Sequence, residues 1–463
     1  MPRTDHLGLD LLVTLDREAA RPLRAQLEDQ LRDGIRRGRL HAGTALPSSR
    51  ALAAELGVSR GVVVEAYGQL VAEGFLVATP GGTTRVASVA LHEPPEAPPE
   101  RTPPPVRFDL RVEAADLSAF PRREWLAVLR DVLRDAPHTA FGYGDQAGAA
   151  ALRGALSAYL GRARGVVAAP RSVVVTTGIT QAVAVLGRAL RRAGVTRIAV
   201  EDPGFPVHRM VLRDEGLELV PLPVDGDRLR VDALDAGDAG AVLVTPAHQF
   251  PLGMALAPER RAALVAWAQA RGAFVLEDDY DGEYRFDREP VGALQALAPA
   301  HVAYLGSASK TLAPALRLGW AVVPDALLEA AERHKMLSDS GSPMLDQLAL
   351  AAFVERGELD RHLRRMRQRY RRRRDVLVAA LARELPLLQP EGIPAGLHLA
   401  ARLPADLRLA PLLECAWADG VGLYGFPHGG VERVLLGYAN LPEPSVAPAV
   451  RALARAAERA VPG

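Results

Sequence analysis

The sequence contains little cysteine and little lysine, and each shortage is informative. Among 463 residues there is one cysteine, Cys415, which excludes an internal disulfide framework and favours a reducing compartment. No apolar run approaches the roughly 18–20 residues of a membrane-spanning helix. The N-terminal segment carries Arg3, Asp5 and Asp10 instead of the apolar core of a signal peptide. We therefore expect a protein of the cytoplasm.

Lysine is much the scarcer of the two strongly basic residues. Of 56 lysines and arginines, only Lys310 and Lys335 are lysines. A Schiff base requires a primary amine that can lose its proton, whereas a guanidinium stays protonated. Lys310, within "YLGSASKTLAPALRLGW", is therefore either a residue of covalent chemistry or a rare lysine that happens to lie in a loop. Its surroundings must decide between the two.

Charge and composition bound the organisation of the chain. The formal net charge is only +1, so charge alone does not indicate a polyanion-binding protein. Residues 92–107, "HEPPEAPPERTPPPVR", contain seven prolines and no apolar periodicity, which is typical of a semi-stiff extended spacer. We predict a head at 1–88, a proline-rich linker at 89–107 and a body at 108–463.

The head has the pattern of a helix-turn-helix followed by a wing. Apolar residues recur at helical spacing over 22–37, which predicts an amphipathic helix. In the segment that follows, Ser48 or Ser49 can cap a short helix and Gly57 permits a tight turn. Ser59 can then cap a second helix, and "FLVATPGGTTRVAS" reads as two short strands. The inner side of the second helix is predicted to carry Val63, Ala66, Tyr67 and Leu70.

In a helix-turn-helix, the N-terminal end of the second helix enters the major groove of DNA. The pattern alone also fits a helical protein-interaction module. The stretch "LPSSRALAAELGVSRGVVVEAYGQLVAEGFL" resembles the winged-helix head of GntR-type bacterial repressors, and this resemblance implies a duplex operator as partner. The predicted DNA-binding residues are Ser48, Arg50, Ser59 and Arg60, with Arg85 on the wing.

In the body, short unbroken apolar runs alternate with helical patterns, as in "SVVVTTG", "RIAVEDPG" and "GAFVLEDDYDGE". Such runs indicate a mainly parallel sheet that is buried on both faces. Ligands bind beyond the carboxyl ends of the strands in sheets of this kind. The informative residues should therefore follow the runs directly.

Three clusters of polar residues follow these runs. Gly178, Ile179 and Thr180 open a helix whose free backbone N–H groups can hold a phosphate. Two hydroxyls, an amine and a guanidinium after "AYL" form a second anion-binding cluster, consisting of Ser307, Ser309, Lys310 and Arg317. The acids at 277–279, followed by Tyr280, either hold a cation or pair with a ligand. No histidine lies near them in the sequence, so we predict no metal site.

A ligand with a phosphate, a group that pairs with a carboxylate and an aldehyde would satisfy these clusters, and pyridoxal 5'-phosphate (PLP) has all three. The body resembles a fold-type I aminotransferase over about 108–460. The resemblance makes Lys310 the Schiff-base lysine, with Ser307 and Arg317 as phosphate ligands. It puts Asp278 on the pyridine nitrogen and Tyr280 near the cofactor O3'. It also makes Phe205 the residue that stacks on the ring, and Tyr143 one that reaches the phosphate from a partner subunit.

The sequence departs from working aminotransferases at two places. The turn that usually carries an asparagine reads "HQFPLG", which puts Gln249 and Phe250 at the site. The late strand that usually carries a carboxylate-binding arginine has Leu435 there. Arg433, two residues earlier, is the candidate for holding an amine or amino-acid effector.

The order of head and body resembles the MocR subfamily of GntR regulators. This resemblance implies an α/β protein in which a winged helix-turn-helix domain precedes a large PLP-dependent aminotransferase fold-type I domain. It further implies a homodimer that senses PLP or a PLP–amine adduct and controls genes of vitamin B6 or amino-acid metabolism. The alternative is an active aminotransferase with an accessory DNA-binding domain, and the leucine at 435 favours the regulator.

Overall fold

The computed structural model describes residues 13–79, 82–88, 106–112, 115–225, 228–287 and 291–461. The chain forms two compact units, at 1–103 and 104–463. Most of the proline-rich segment predicted as a linker lies outside the described residues. In the part of the chain that is described, no helix has both the length and the apolar composition needed to cross a bilayer.

The described residues of the first unit form three helices and a two-stranded sheet. The elements are α1 (Leu23–Arg36), α2 (Ser49–Leu56), α3 (Arg60–Ala72), β1 (Leu76–Val77) and β2 (Arg85–Val86). The apolar side of each helix packs into one small core, and β1 pairs antiparallel with β2. The predicted amphipathic helix, the two short helices and the two strands are all confirmed, and so is the burial of the inner face of α3.

The second unit contains the remaining elements. Its strands are β3 (Phe108–Asp109), β4 (Val173–Thr176), β5 (Arg197–Asp202), β6 (Glu218–Asp225), β7 (Arg228–Leu229), β8 (Ala241–Val244), β9 (Phe274–Asp278), β10 (Val302–Ser307), β11 (Gly319–Val322), β12 (Gln389–Glu391), β13 (His398–Arg402), β14 (Val421–Gly422), β15 (Tyr424–His428) and β16 (Val431–Gly437). Its helices are α4 (Arg122–Asp135), α5 (Ala150–Arg164), α6 (Ile179–Arg192), α7 (Pro206–Asp214), α8 (Asp232–Asp235), α9 (Pro258–Arg271), α10 (Ala308–Thr311), α11 (Asp325–Asp339), α12 (Met344–Glu355), α13 (Glu358–Glu384), α14 (Leu409–Ala418) and α15 (Glu443–Ala460).

The main sheet of this unit has eight strands in the order β4-β11-β10-β9-β8-β5-β6-β7. The pairs from β10 through β6 are parallel, while β11 runs antiparallel to both of its neighbours. The prediction of a mainly parallel sheet is therefore confirmed. Both faces of the sheet are covered, because Val174 packs against α6 and α11 whereas Val173 and Val175 pack on the opposite side.

A second, antiparallel sheet has the order β12-β13-β16-β15, and β3 pairs with β14. The carboxyl ends of β4, β9 and β10 lie toward one edge of the main sheet, because β9 and β10 are parallel neighbours and β11 joins β10 to β4. The loops that follow these three strands carry the three predicted polar clusters.

Candidate functional site

An anion-binding cradle forms where α6 begins. Gly178 precedes the helix with φ 133°, in the region that favours glycine. A Cβ added to Gly319 would lie 2.6 Å from the Gly178 Cα, so two backbone segments approach closely here. The Arg317 guanidinium is next to this turn, since a Cβ on Gly178 would lie 3.5 Å from its Nη2. The first N–H groups of a 14-residue helix and a guanidinium therefore face the same space.

The second predicted cluster adjoins the carboxyl end of β10. Ser307 ends that strand, and its Oγ accepts a hydrogen bond from the Ser309 N–H at 3.3 Å. Lys310 follows on the short helix α10, where its half-buried amine lies 3.4 Å from the Val112 carbonyl oxygen. Its positive charge also acts on Asp278, so the end of β9 and the lysine share one site.

The three consecutive acids at the end of β9 divide between two roles. Glu277 accepts hydrogen bonds from the backbone N–H groups of Leu294 and Gln295. Asp279 pairs with Arg164 at 2.7 Å and accepts from the Tyr304 hydroxyl. Alternate residues of a strand point to opposite faces, so these two acids stabilise the interior and Asp278 faces the other way.

Asp278 is buried, and its Oδ1 has no hydrogen-bond partner among the described residues. Burial raises the pKa of Asp278 well above its ordinary value, and the charges of Asp279 and Asp281 raise it further. A cationic N–H from a ligand would satisfy Oδ1 and counter that destabilisation. The orphaned oxygen therefore fits a protonated pyridine nitrogen.

Histidines that are distant in the sequence lie beside these acids in the structure. His208 from α7 places Nδ1 3.4 Å from Asp278 Oδ2, and burial lowers the pKa of His208 to about 4. His248 lies 2.8 Å from Asp281 and 3.1 Å from the Tyr280 hydroxyl. Both histidines are distant in sequence and reach the acids only through the parallel strand order, which is why a local search missed them.

Aromatic residues cover the same region. Phe205 precedes α7, is 38 % exposed and contacts the rings of His208 and Phe250 edge to face. Phe250 in turn packs edge to face on Tyr280. Tyr143 is 85 % exposed. A side chain this accessible is available to a second subunit.

Two residues placed at the site by their sequence position are already engaged. Gln249 is buried, and its amide donates to Glu201, to the Pro203 carbonyl and to its own loop, so it stabilises the turn. Arg433 forms an ion pair with Glu391 at 2.6 Å. The Arg433 guanidinium also donates to two backbone carbonyls on the antiparallel sheet. This arrangement does not present Arg433 as a ready carboxylate clamp.

The head places its predicted DNA-binding residues at the surface around the start of α3. Ser48 caps α2 by accepting from the Ala51 N–H, whereas Ser59 precedes α3 without a side-chain cap bond in the described structure. The predicted N-cap position of Ser59 is therefore confirmed, but the predicted capping bond is not formed, and Ser59 is exposed. Arg50 and Arg60 are exposed, and Arg60 lies 3.3 Å from the Ser49 hydroxyl.

The remaining predicted contact, Arg85, begins β2 on the wing. It is exposed, and its guanidinium donates to the Gly43 carbonyl at 2.9 Å. This bond holds the end of the side chain against the backbone at Gly43. Gly57 turns the chain between α2 and α3 with φ 62°, as predicted.

Comparison with known proteins agrees with both halves of this description. Residues 23–86 match the family model "Bacterial regulatory proteins, gntR family", and 114–403 match "Aminotransferase class I and II". GntR-type regulators bind operator DNA, and fold-type I aminotransferases depend on PLP. The body is similar to the α-aminoadipate aminotransferase LysN of Thermus thermophilus, with TM-score 0.69 and 26 % identity over 76 % of this chain and 92 % of that one.

Relatives with both domains align over nearly the whole chain. The probable rhizopine catabolism regulatory protein MocR of Rhizobium meliloti is 34 % identical over 93 % of this chain and 92 % of its own length. The pyridoxine biosynthesis transcriptional regulator PdxR of Corynebacterium glutamicum is 34 % identical over 87 % of this chain and 88 % of its own. The chain therefore belongs to the MocR subfamily of GntR-type transcriptional regulators, in which a DNA-binding head is joined to an aminotransferase-type body.

Proposed function

We propose that this regulator binds PLP covalently at Lys310 and that PLP, alone or joined to an amine, alters its binding to operator DNA. The observation that carries the proposal is the buried Oδ1 of Asp278, which has no hydrogen-bond partner among the described residues. The positive charge of Lys310 acts on the same carboxylate. PLP would supply an aldehyde for the amine, a ring nitrogen for the carboxylate and a phosphate for the cradle at α6.

Each residue of the site has a role that follows from its chemistry. Arg317 and the N–H groups at Ile179 and Thr180 would hold the phosphate, with Ser307 and Ser309 at the end of β10 beside them. Gly178 suits the cradle because its φ of 133° is a backbone conformation that residues with a side chain rarely adopt.

The opposite side of the site would hold the ring. Asp278 would accept from the ring N–H, and Phe205 would cover the ring face. The Asp281 carboxylate accepts from His248 Nδ1–H at 2.8 Å, so Tyr280, 3.1 Å from the same nitrogen, keeps its own proton for the cofactor oxygen. These residues orient a ligand and exclude water without requiring turnover.

We further propose a homodimer, in which the exposed Tyr143 completes the site of the partner subunit. A dimer also presents two heads to two half-sites of an operator, one helical turn or a multiple of it apart. The relative named as a pyridoxine biosynthesis regulator supports vitamin B6 or amino-acid metabolism genes as targets. An amine or amino acid is the proposed effector class.

Arginine substitutions in the head should weaken DNA binding in two distinguishable ways. If Arg50 or Arg60 contacts phosphate, its change to alanine should lower affinity for every duplex and reduce the salt slope by about one. If the residue contacts a base, the change should cost about 1–3 kcal/mol and relax preference at one position. The measurement is fluorescence anisotropy of the full-length protein with a duplex selected by it from a random pool, over a series of salt concentrations.

Arg37→Ala is the matched control, because Arg37 is another exposed arginine of the head. It lies just beyond the end of α1 and pairs with Asp33 of that helix. It should leave affinity and salt slope unchanged. Equal losses in Arg37→Ala and Arg60→Ala would show that α3 is not the DNA-contacting element.

PLP and operator should change one another's affinity by the same factor. A ligand shifts a conformational equilibrium only through its differential affinity for the states, and the resulting coupling is reciprocal. Couplings of this type amount to about 5–150-fold. Titrating PLP into the cofactor-free protein, with and without the selected duplex, measures the coupling through the visible absorption band. A scrambled duplex is the control, and equal dissociation constants in all three titrations would contradict a sensing role.

A further inference from the structure

The outer face of α3 carries a row of residues without polar side chains. Gly61, Val64 and Gly68 are separated by three and four positions, so they are neighbours along one side of the helix. All three are exposed, and the Val64 side chain lies on the side of α3 that faces away from the core of the head. We call these three residues the apolar row.

Contacts on either side of the apolar row indicate where it faces. Arg60, one turn before Val64, lies 3.3 Å from the Ser49 hydroxyl at the start of α2. On the opposite side, Glu65 pairs with Arg24 of α1 at 3.5 Å. The row lies between these two contacts and continues from Arg60 along the helix. The second helix of a helix-turn-helix enters the major groove with its N-terminal part, so the row is directed at base edges.

The packing of the head does not require the two glycines of the row. A Cβ added to Gly68 would have no neighbour within 4 Å, and one added to Gly61 would lie 3.7 Å from the Ser59 Oγ, an ordinary contact. Glycine weakens a helix relative to alanine, and one of its uses is to let backbone approach a ligand closely. At these two positions α3 offers a groove no side chain that could hydrogen-bond a base.

Val64 is therefore the side chain that projects from the centre of the row. It is 47 % exposed, and among the described residues of the head it shares such exposure of a large apolar side chain with Val77 on the wing. A single exposed valine is ordinary on a protein surface, but this one lies where a helix meets DNA. Among the four bases, thymine alone presents an apolar group in the major groove, its C5-methyl. Valine has no donor or acceptor, so this methyl is the group that it can recognise.

We propose that Val64 determines operator specificity by packing against the C5-methyl group of a thymine in each half-site. Ser59 and Arg60, at the start of α3, supply the polar contacts, and Gly61 and Gly68 let the helix backbone approach the bases on either side of that thymine. The inference rests on the proposed binding of operator DNA by the head. It adds the base that the centre of α3 reads and the chemical group by which the base is recognised.

The test replaces the thymines of the selected duplex by deoxyuridine, one position at a time. This change removes the methyl group and leaves the hydrogen-bonding groups of the base pair in place. Fluorescence anisotropy with the full-length wild-type protein should show a loss of affinity of about fourfold at one thymine of each half-site, the factor that burial of one methyl group contributes. Unchanged affinity at every substituted position would overturn the proposal.

A variant and a matched control assign the contact to Val64. Val64→Ser removes both methyl groups of the side chain, so it should bind the thymine and uracil duplexes equally. Val167→Ser makes the same change at a valine of the body that is 59 % exposed, and it should keep the fourfold preference. A preference for thymine that persists in Val64→Ser would show that another residue contacts the methyl group and would overturn the proposal.

Two further outcomes are separable from these. Circular dichroism confirms that Val64→Ser is folded, and if it is not, the uracil series with the wild-type protein decides. If the wild-type protein binds no duplex at all, the DNA-binding function itself fails together with this inference. If it binds with the expected salt dependence but ignores the methyl group, only the reading by Val64 fails.

Discussion

Lys310→Ala is expected to abolish the visible absorption band of the PLP-loaded protein. The band depends on covalent attachment through an amine that can lose its proton, and alanine offers none. Lys310→Arg should fail equally, because a guanidinium keeps the charge but stays protonated. The difference from wild type should be all or nothing, whereas loss of a phosphate contact would only weaken binding. Absorbance spectra of the three proteins, incubated with excess PLP and then gel-filtered, provide the measurement.

The chain offers one matched control for this experiment, because it has only one other lysine. Lys335 is buried in an ion pair with Asp339 at 2.6 Å. Lys335→Arg keeps that charge and should retain the band. Borohydride reduction followed by peptide mapping should find the cofactor on Lys310. A band that survives Lys310→Ala, or label on Lys335, would refute the assignment.

The second large effect concerns stability. Arg164→Met should reduce the free energy of unfolding of the body by about 3–5 kcal/mol, because it leaves the Asp279 carboxylate buried without its counter-charge. The pair is 2.7 Å long, and both side chains are at most 1 % exposed. Since Asp279 adjoins Asp278, the loss should also weaken PLP binding. Urea unfolding followed by tryptophan fluorescence reports this change, as all four tryptophans lie in the body.

The same helix supplies the comparison. Arg162 pairs with Asp360 at the same distance of 2.7 Å, but its side chain is 58 % exposed. Arg162→Met should cost no more than about 1 kcal/mol, because solvent screens an exposed pair. Adding Asp279→Leu to Arg164→Met should recover part of the loss by removing the unpaired charge. Similar costs at Arg162 and Arg164 would show that burial does not control the strength of these pairs.

Local patterns determined the elements of this protein. The apolar spacing of 22–37 predicts α1 to within one residue at each end, and Gly57 marks the turn between α2 and α3. Local patterns also predict the polar clusters that follow the strands. Parallel strands bring their carboxyl ends to one edge, so the sequence alone predicts Gly178, Asp278 and Lys310 at the same edge of the sheet.

Other features depended on contacts between distant segments. The sequence has three adjacent acids, and only a resemblance indicates which of them would bind a ligand. In the structure, Arg164 pairs with Asp279 and the Leu294 N–H donates to Glu277, so Asp278 is the acid that remains for a ligand. The sequence position of Gln249 predicts a place at the cofactor site, but its amide donates to Glu201 and stabilises the turn.

Two buried histidines show the limit most clearly. His248 and His398 are separated by 150 positions, and their rings meet because the loop after β8 lies against the start of β13 in the body. Periodicity, caps and turns act over a few residues, so the sequence by itself determined which helices and strands form and which edge of the sheet carries the chemistry. Whether a buried polar atom finds a partner depends on packing across the whole chain, and only the tertiary structure decided that.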